Sequence, residues 1–162
     1  MEARRQFVVD RDGIAYDTRM AEPPLVVLDT NVLEAAMRSR RGASFAVVSR
    51  LGSGDFDVAI SVPLVLEYED VLLREAPELR RSAESVQDLI DYVCRIGKRQ
   101  EIFFLWRPWL PDPDDDMLLE LAVAAGCEAI VTHNRRDFRS VSQFGIAVVS
   151  PAQFLNRIGM ES

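Results

Sequence analysis

Four separated stretches of this sequence carry carboxylates or amides beside predicted strand ends or helix starts. They are Asp29, Glu67, the run Asp112, Asp114, Asp115 and Asp116, and Asn134 with Asp137. In an open α/β sheet such junctions converge on one crevice, so oxygen ligands far apart in the chain can meet there around a hard divalent cation. Magnesium or manganese suits that donor set. Cysteine is absent from it and the only histidine is His133, which argues against zinc held by soft ligands. Taken singly, the same residues have plainer uses. Asp29 can cap a helix, Glu67 is one solvated acid beside Glu69, Asp70 and Glu75, and the aspartate run can be a loop and cap.

The elements that must position these groups follow from periodicity. In VVLDTNVL, residues 26–33, an apolar run ends abruptly in Asp-Thr-Asn, which predicts a buried parallel strand delivering Asp29 to its carboxyl edge. Helices are expected over Asn31–Met37 and 43–51, with a basic connection, Arg38–Gly42, between them. A second strand spans Phe56–Ser61, and a helix capped by Ser61 starts near Pro63 with Leu64, Tyr68, Val71 and Leu72 at helical spacing. Ser82–Lys98 is the clearest amphipathic helix, and Ile102–Trp106 reads as a third strand. Asp114 or Asp115 then caps MLLELAVAA, which is apolar almost all round. Strands over Ala129–Thr132 and Ile146–Val149 flank the polar HNRRDF, and Ser150-Pro151 opens a last helix. Strands separated by helices predict an α/β fold with a central parallel sheet of about four to five strands and helices on both faces. Residues 1–24 read as an N-terminal extension with a short hairpin, Phe7–Val9 against Ile14–Tyr16, residues 25–157 as the domain, and 158–162 as a tail.

A chain of 162 residues that is 48% hydrophobic can bury one sizeable core. Its net charge of -7 argues against nonspecific coating of nucleic acid, without excluding a local basic rim. The two cysteines, Cys94 and Cys127, lie in apolar stretches, which suits reduced thiols and a cytoplasmic setting. No stretch approaches a membrane span, and the start lacks the long apolar run of an export signal.

In order and spacing, VVLDTNVL, SVPLVLEYEDVL and DPDDDMLLELAVAAGCEAIVTHNRRDF resemble the PIN domain, a family of metal-dependent nucleases, over about residues 25–157. The motifs are similar to those of the VapC-like bacterial toxins of this family. The resemblance implies a PIN-like α/β/α sandwich and a Mg²⁺- or Mn²⁺-dependent endoribonuclease, the toxin of a type II toxin–antitoxin pair. RNA as substrate, a small antitoxin protein and a homodimer are implied with it. Matched residue by residue, the first acid falls on Asp29, with Asn31 supporting, the second on Glu67, and the third on Asp115, with Asp116 next and Asp112 a lesser candidate. At the fourth position the family often has Asp two residues after the Thr matching Thr132; here that residue is Asn134. Asp137 can take over, or Asn134 can serve as a neutral ligand. That substitution also motivates the alternative of a PIN-like module that binds RNA or protein without cutting.

Other residues divide between substrate contact and structure. Thr132 and Ser61 can reach phosphate or satisfy nearby backbone. Trp106 and Trp109 can stack bases or fill the core. Arg135, Arg136 and Arg139 are candidate phosphate contacts, and His133 is a lesser candidate for acid–base work.

Overall fold

The computed structural model describes residues 7–9, 15–17, 22–102, 110 and 115–159. A five-stranded parallel sheet organises the chain, with strand order β5-β4-β3-β6-β7. The strands are β3 (Leu25–Leu28), β4 (Asp57–Ile60), β5 (Lys98–Arg99), β6 (Ala129–Val131) and β7 (Ala147–Val149). Ahead of them, β1 (Phe7–Val9) and β2 (Ala15–Asp17) form an antiparallel hairpin that pairs Phe7 with Asp17. Val26 and Val27 are both fully buried, as are Ile130 and Val131. Successive strand residues point to opposite faces, so both faces of these central strands are covered, and that is why their sequences are unbroken apolar runs.

Among the described residues, six α-helices connect the strands: α1 (Thr30–Arg38), α2 (Ala43–Val48), α3 (Val62–Glu75), α4 (Ala83–Ile96), α5 (Asp116–Ala125) and α6 (Pro151–Arg157). Their starts carry the expected chemistry. Ser61 and Ser82 accept from Leu64 and Ser85 backbone N–H groups, and Ser150 forms a full capping box with Gln153. Asp115 occupies the N-cap position of α5 but makes no side-chain capping bond. Its helix is buried along Asp116–Ala122, all seven residues, and packs across β3, β4 and β6.

Three expectations move. The amphipathic helix stops at Ile96, and Lys98, expected at its end, lies in β5, where its ammonium meets Asp57 of β4 at 2.8 Å. The third sheet strand is therefore 98–99; Ile102, where it was expected to begin, is outside any strand, and 103–106 lie outside the described residues. The cause is Gly97. It carries the chain from α4 straight onto β4, so close that a Cβ there would stand 2.8 Å from Ile60 Cδ1 and from the Val93 carbonyl oxygen. Gly97→Ala is thus expected to cost about 1–3 kcal/mol by overpacking, read as a lowered midpoint in urea unfolding. The first of the two remaining shifts shortens the second helix, which ends at Val48. The second turns the polar stretch after β6 into a 3-10 helix, Arg135–Phe144.

Cys94 and Cys127 are free thiols, and burial pushes Cys127 up to about 12, so it stays protonated and inert.

Candidate functional site

The chain leaves β3 toward β4 and β5 on one side and returns through β6 and β7 on the other. The crevice between the ends of β3 and β6 is consequently the switch point of the sheet, where such folds bind ligands. Asp29 sits there. It is the residue after β3 and the N-cap of α1, only 6% exposed. Its Oδ2 accepts from the Thr132 hydroxyl at 2.6 Å and from Asn31 Nδ2 at 2.8 Å. Oδ1 receives a longer bond, 3.4 Å, from the Asn31 backbone. Burial raises the Asp29 pKa; hydrogen bonds from Thr132, Asn31 and Thr30 oppose that without cancelling it.

A second carboxylate is tied in through Thr30, whose buried hydroxyl donates to Glu67 Oε1 at 2.6 Å. One turn of α3 thereby offers two functions, because Tyr68, buried in the core, donates its hydroxyl to the Leu28 carbonyl, just before Asp29. Burial, then the charges of Asp29 and Glu67, hold the Tyr68 phenol protonated well above its ordinary range. Both carboxylates are therefore felt at the same small volume. Tyr68→Phe leaves the Leu28 carbonyl short of a donor and is expected to destabilise the fold by about 1–3 kcal/mol, measurable as a drop in thermal midpoint.

On the β6 side, Thr132 is completely buried. Its oxygen accepts from the Asn134 backbone N–H at 2.9 Å and from Asn31 Nδ2 at 3.3 Å, while its proton goes to Asp29. The His133 backbone N–H donates to Asn31 Oδ1 at 3.2 Å.

A model of the PIN domain matches residues 25–136. The chain belongs to the PIN domain family. Its fold is similar to that in the VapBC2 complex of Rickettsia felis bound to a DNA fragment from their promoter, with 14% identity over 76% of this chain and 96% of that one, TM-score 0.54. VapBC-1 from nontypeable Haemophilus influenzae gives 15% identity over 78% and 98%, TM-score 0.55. Comparison with curated proteins found no match.

Within this PIN domain the residues singled out from sequence divide. Asp29, Glu67, Asn31 and Thr132 come together in one hydrogen-bonded corner. Thr132 is buried, and both ends of the Asn31 carboxamide make internal hydrogen bonds. Ser61 is likewise a buried helix cap. Asp116 is 1% exposed, and its Oδ1 accepts from the Leu110 backbone at 2.8 Å, which fastens the start of α5 to the preceding chain. Asp115 is half-buried beside it. Asn134 donates to Asp137, so the two candidates for the fourth position adjoin one another. Arg135 and Arg136 are exposed, and Arg135 reaches Gln153 at 3.1 Å. Asp112, Asp114, Trp106 and Trp109 lie outside the described residues.

Sequence reading passed over Thr30, Tyr68 and Ser44. The Ser44 hydroxyl lies 2.7 Å from His133 Nε2. Thr30 had a signal, its place inside Asp-Thr-Asn; Tyr68 read only as a core position, and Ser44 had none.

Among the described residues no three carboxylate, histidine or cysteine side chains stand close enough to enclose a metal. The donors fit a hard cation even so. Mg²⁺ keeps several waters and is commonly held by one or two carboxylates together with substrate phosphate, and a buried carboxylate with a raised pKa gains from a cation beside it.

Proposed function

We propose that this PIN domain is a metal-dependent endoribonuclease, the toxin of a bacterial toxin–antitoxin pair acting in the cytoplasm. The observation that carries the reading is the buried Asp29 carboxylate at the sheet switch point, with Glu67 tied to the same corner through Thr30. Asp29, Glu67 and Asp115 would hold Mg²⁺ or Mn²⁺, which when bound supplies charge stabilisation to phosphate oxygens and lowers the pKa of water. The protein's own part is positional. Thr132 and Asn31 fix Asp29 through Oδ2 and leave Oδ1 the more available oxygen. Glu67, which accepts from Thr30, would ligate the ion or orient the attacking water. Asp116 and Asp137 are supporting candidates, and Asn134, an amide where relatives often have a carboxylate, favours one metal over two.

Incubating the purified protein with single-stranded RNA and Mn²⁺ tests the proposal. Cleavage is expected, EDTA should abolish it, and Asp29→Asn and Asp115→Asn should each lack it. Equal cleavage by the double variant would sink the assignment. The second reading, a module that binds without cutting, draws on the Asn134–Asp137 pair; calorimetric titration showing no Mn²⁺ binding at millimolar concentration would favour it.

The same proposal includes protein partners. The outer face of α3 exposes Val62 (74%) and Leu66 (58%), with Leu73 further along. Val62 and Leu66 border a cleft of about 630 Å³ that Cys94, Ile102 and Met117 also line. Large apolar side chains exposed together mark interaction surfaces, which suits a small antitoxin or the second subunit of a homodimer.

A further inference from the structure

The excess negative charge of this chain makes its clustered cations informative, and one cluster lies outside the site described above. At the end of α1 and in the turn to α2, Arg38, Ser39, Arg40, Arg41 and Gly42 are all exposed. Arg38 is paired with Glu34, whereas Arg40 and Arg41 enter no ion pair among the described residues. The turn that presents them is built. The Ser39 hydroxyl donates to the Arg41 carbonyl at 2.9 Å and accepts from the Arg41 N–H at 3.1 Å. Gly42, at φ 120°, supplies a backbone conformation that other residues rarely adopt, and turns the chain into α2.

Two residues further on, Ser44 is bonded to His133, whose backbone holds Asn31, which holds Asp29. The basic turn is thereby fastened to His133, just ahead of the 3-10 helix whose first residues are the exposed Arg135 and Arg136. Arg135 in turn reaches the first turn of α6, against which α2 packs. α3, which carries Glu67, exposes Val62 and Leu66, and its Asp70 is neutralised by Arg74 at 3.0 Å.

We propose that Arg40 and Arg41 bind the sugar–phosphate backbone of single-stranded RNA, extending the contacts of Arg135 and Arg136 into one rail along the α2 side of the site. This rests on the ribonuclease reading and adds the direction from which the strand approaches. Phosphates of a flexible strand are recognised by guanidinium groups without regard to base, so the rail sets affinity and leaves sequence choice to other contacts.

The test uses the full chain carrying Asp29→Asn, with Mg²⁺ present, and a fluorescein-labelled RNA of about a dozen nucleotides. Anisotropy titrations at several salt concentrations compare it with the same protein bearing Arg40→Ala and Arg41→Ala. Arg50→Ala serves as control, since Arg50 faces Asp55 at the far end of α2. The double change is expected to weaken binding about tenfold or more and to make the salt slope shallower by about 1.4, roughly 0.7 per lost phosphate contact. Thermal midpoints should be unchanged. If the parent binds RNA and the double variant shows the same affinity and slope as the control, the rail is overturned while the nuclease reading stands. If it keeps RNA affinity but loses binding to poly-glutamate, the turn serves an acidic protein and the proposal is likewise overturned. A parent that neither binds nor, with Asp29 restored, cleaves RNA removes both.

Discussion

Asp29→Asn is expected to lower Mn²⁺-dependent RNA cleavage by at least ~100-fold, the upper end of the loss seen when only an outer partner of a metal ligand is removed. The fold should survive the change. An asparagine fills the same volume, and its carbonyl oxygen can still accept from Thr132 at the position of Oδ2. Stability gives a second, independent readout. Burial holds the folded-state pKa of Asp29 above its ordinary value, so the folded protein binds that proton more tightly than the unfolded chain does. The resulting stabilisation is complete below the ordinary carboxylate range and is lost as pH rises through the raised pKa. Above that raised pKa the ionised, desolvated carboxylate is therefore a burden that the neutral carboxamide of the Asp29→Asn variant does not carry. In EDTA, wild type should lose thermal stability relative to the variant as pH rises from the ordinary carboxylate range through the raised pKa of Asp29, and Mn²⁺ should restore it only in wild type, by mass action on the folded state. A wild-type and variant difference independent of both pH and Mn²⁺ would mean that Asp29 is simply a helix cap.

Thr132→Val is expected to reduce cleavage by about 10–100-fold and to destabilise the protein by about 1–3 kcal/mol. Valine keeps the shape and removes the hydroxyl. That one oxygen donates to Asp29 and accepts from Asn134 N–H and Asn31 Nδ2, so its loss leaves a buried carboxylate short of its best donor and frees the loop that leads to Asn134 and Asp137. Thr132→Ser, which keeps the hydroxyl, should recover most of the activity. The Asp29 and Thr132 variants differ in how the loss arises: with Thr132→Val, raised Mn²⁺ should recover part of the rate, because the carboxylate is still present but less well held. A rate that does not respond to Mn²⁺, with an unchanged midpoint, would place Thr132 outside the positioning chain.

The sheet and most of its helices were legible because their signals are local and redundant. Continuous apolar runs at 26–28 and 129–131 fit strands covered on both faces, and the Ser61, Ser82 and Ser150 caps mark their helices without reference to anything distant. The edge strand at 98–99 had no such signal: Lys98 and Arg99 are both polar and exposed, and Gly97 brings them to the sheet by letting the backbone approach Ile60 where a Cβ would collide. Of the strand expected over Ile102–Trp106, Ile102 is outside any strand and 103–106 lie outside the described residues.

What the sequence by itself determined is the family, the α/β architecture and the presence of carboxylates at strand ends, since each is encoded in residue type and short-range spacing. Only tertiary structure decided how those groups are used. Asp29 and Thr132 are 103 residues apart, Thr30 and Glu67 are 37 apart, and Ser44 and His133 are 89 apart. Nothing in the spacing of such pairs distinguishes a hydroxyl that meets phosphate from one that holds a carboxylate. That distinction depends on burial, and burial is a property of the packed molecule: it placed Thr132 behind Asp29, took Asp116 into the wall of the domain, and raised the pKa of the carboxylate on which the proposed chemistry turns.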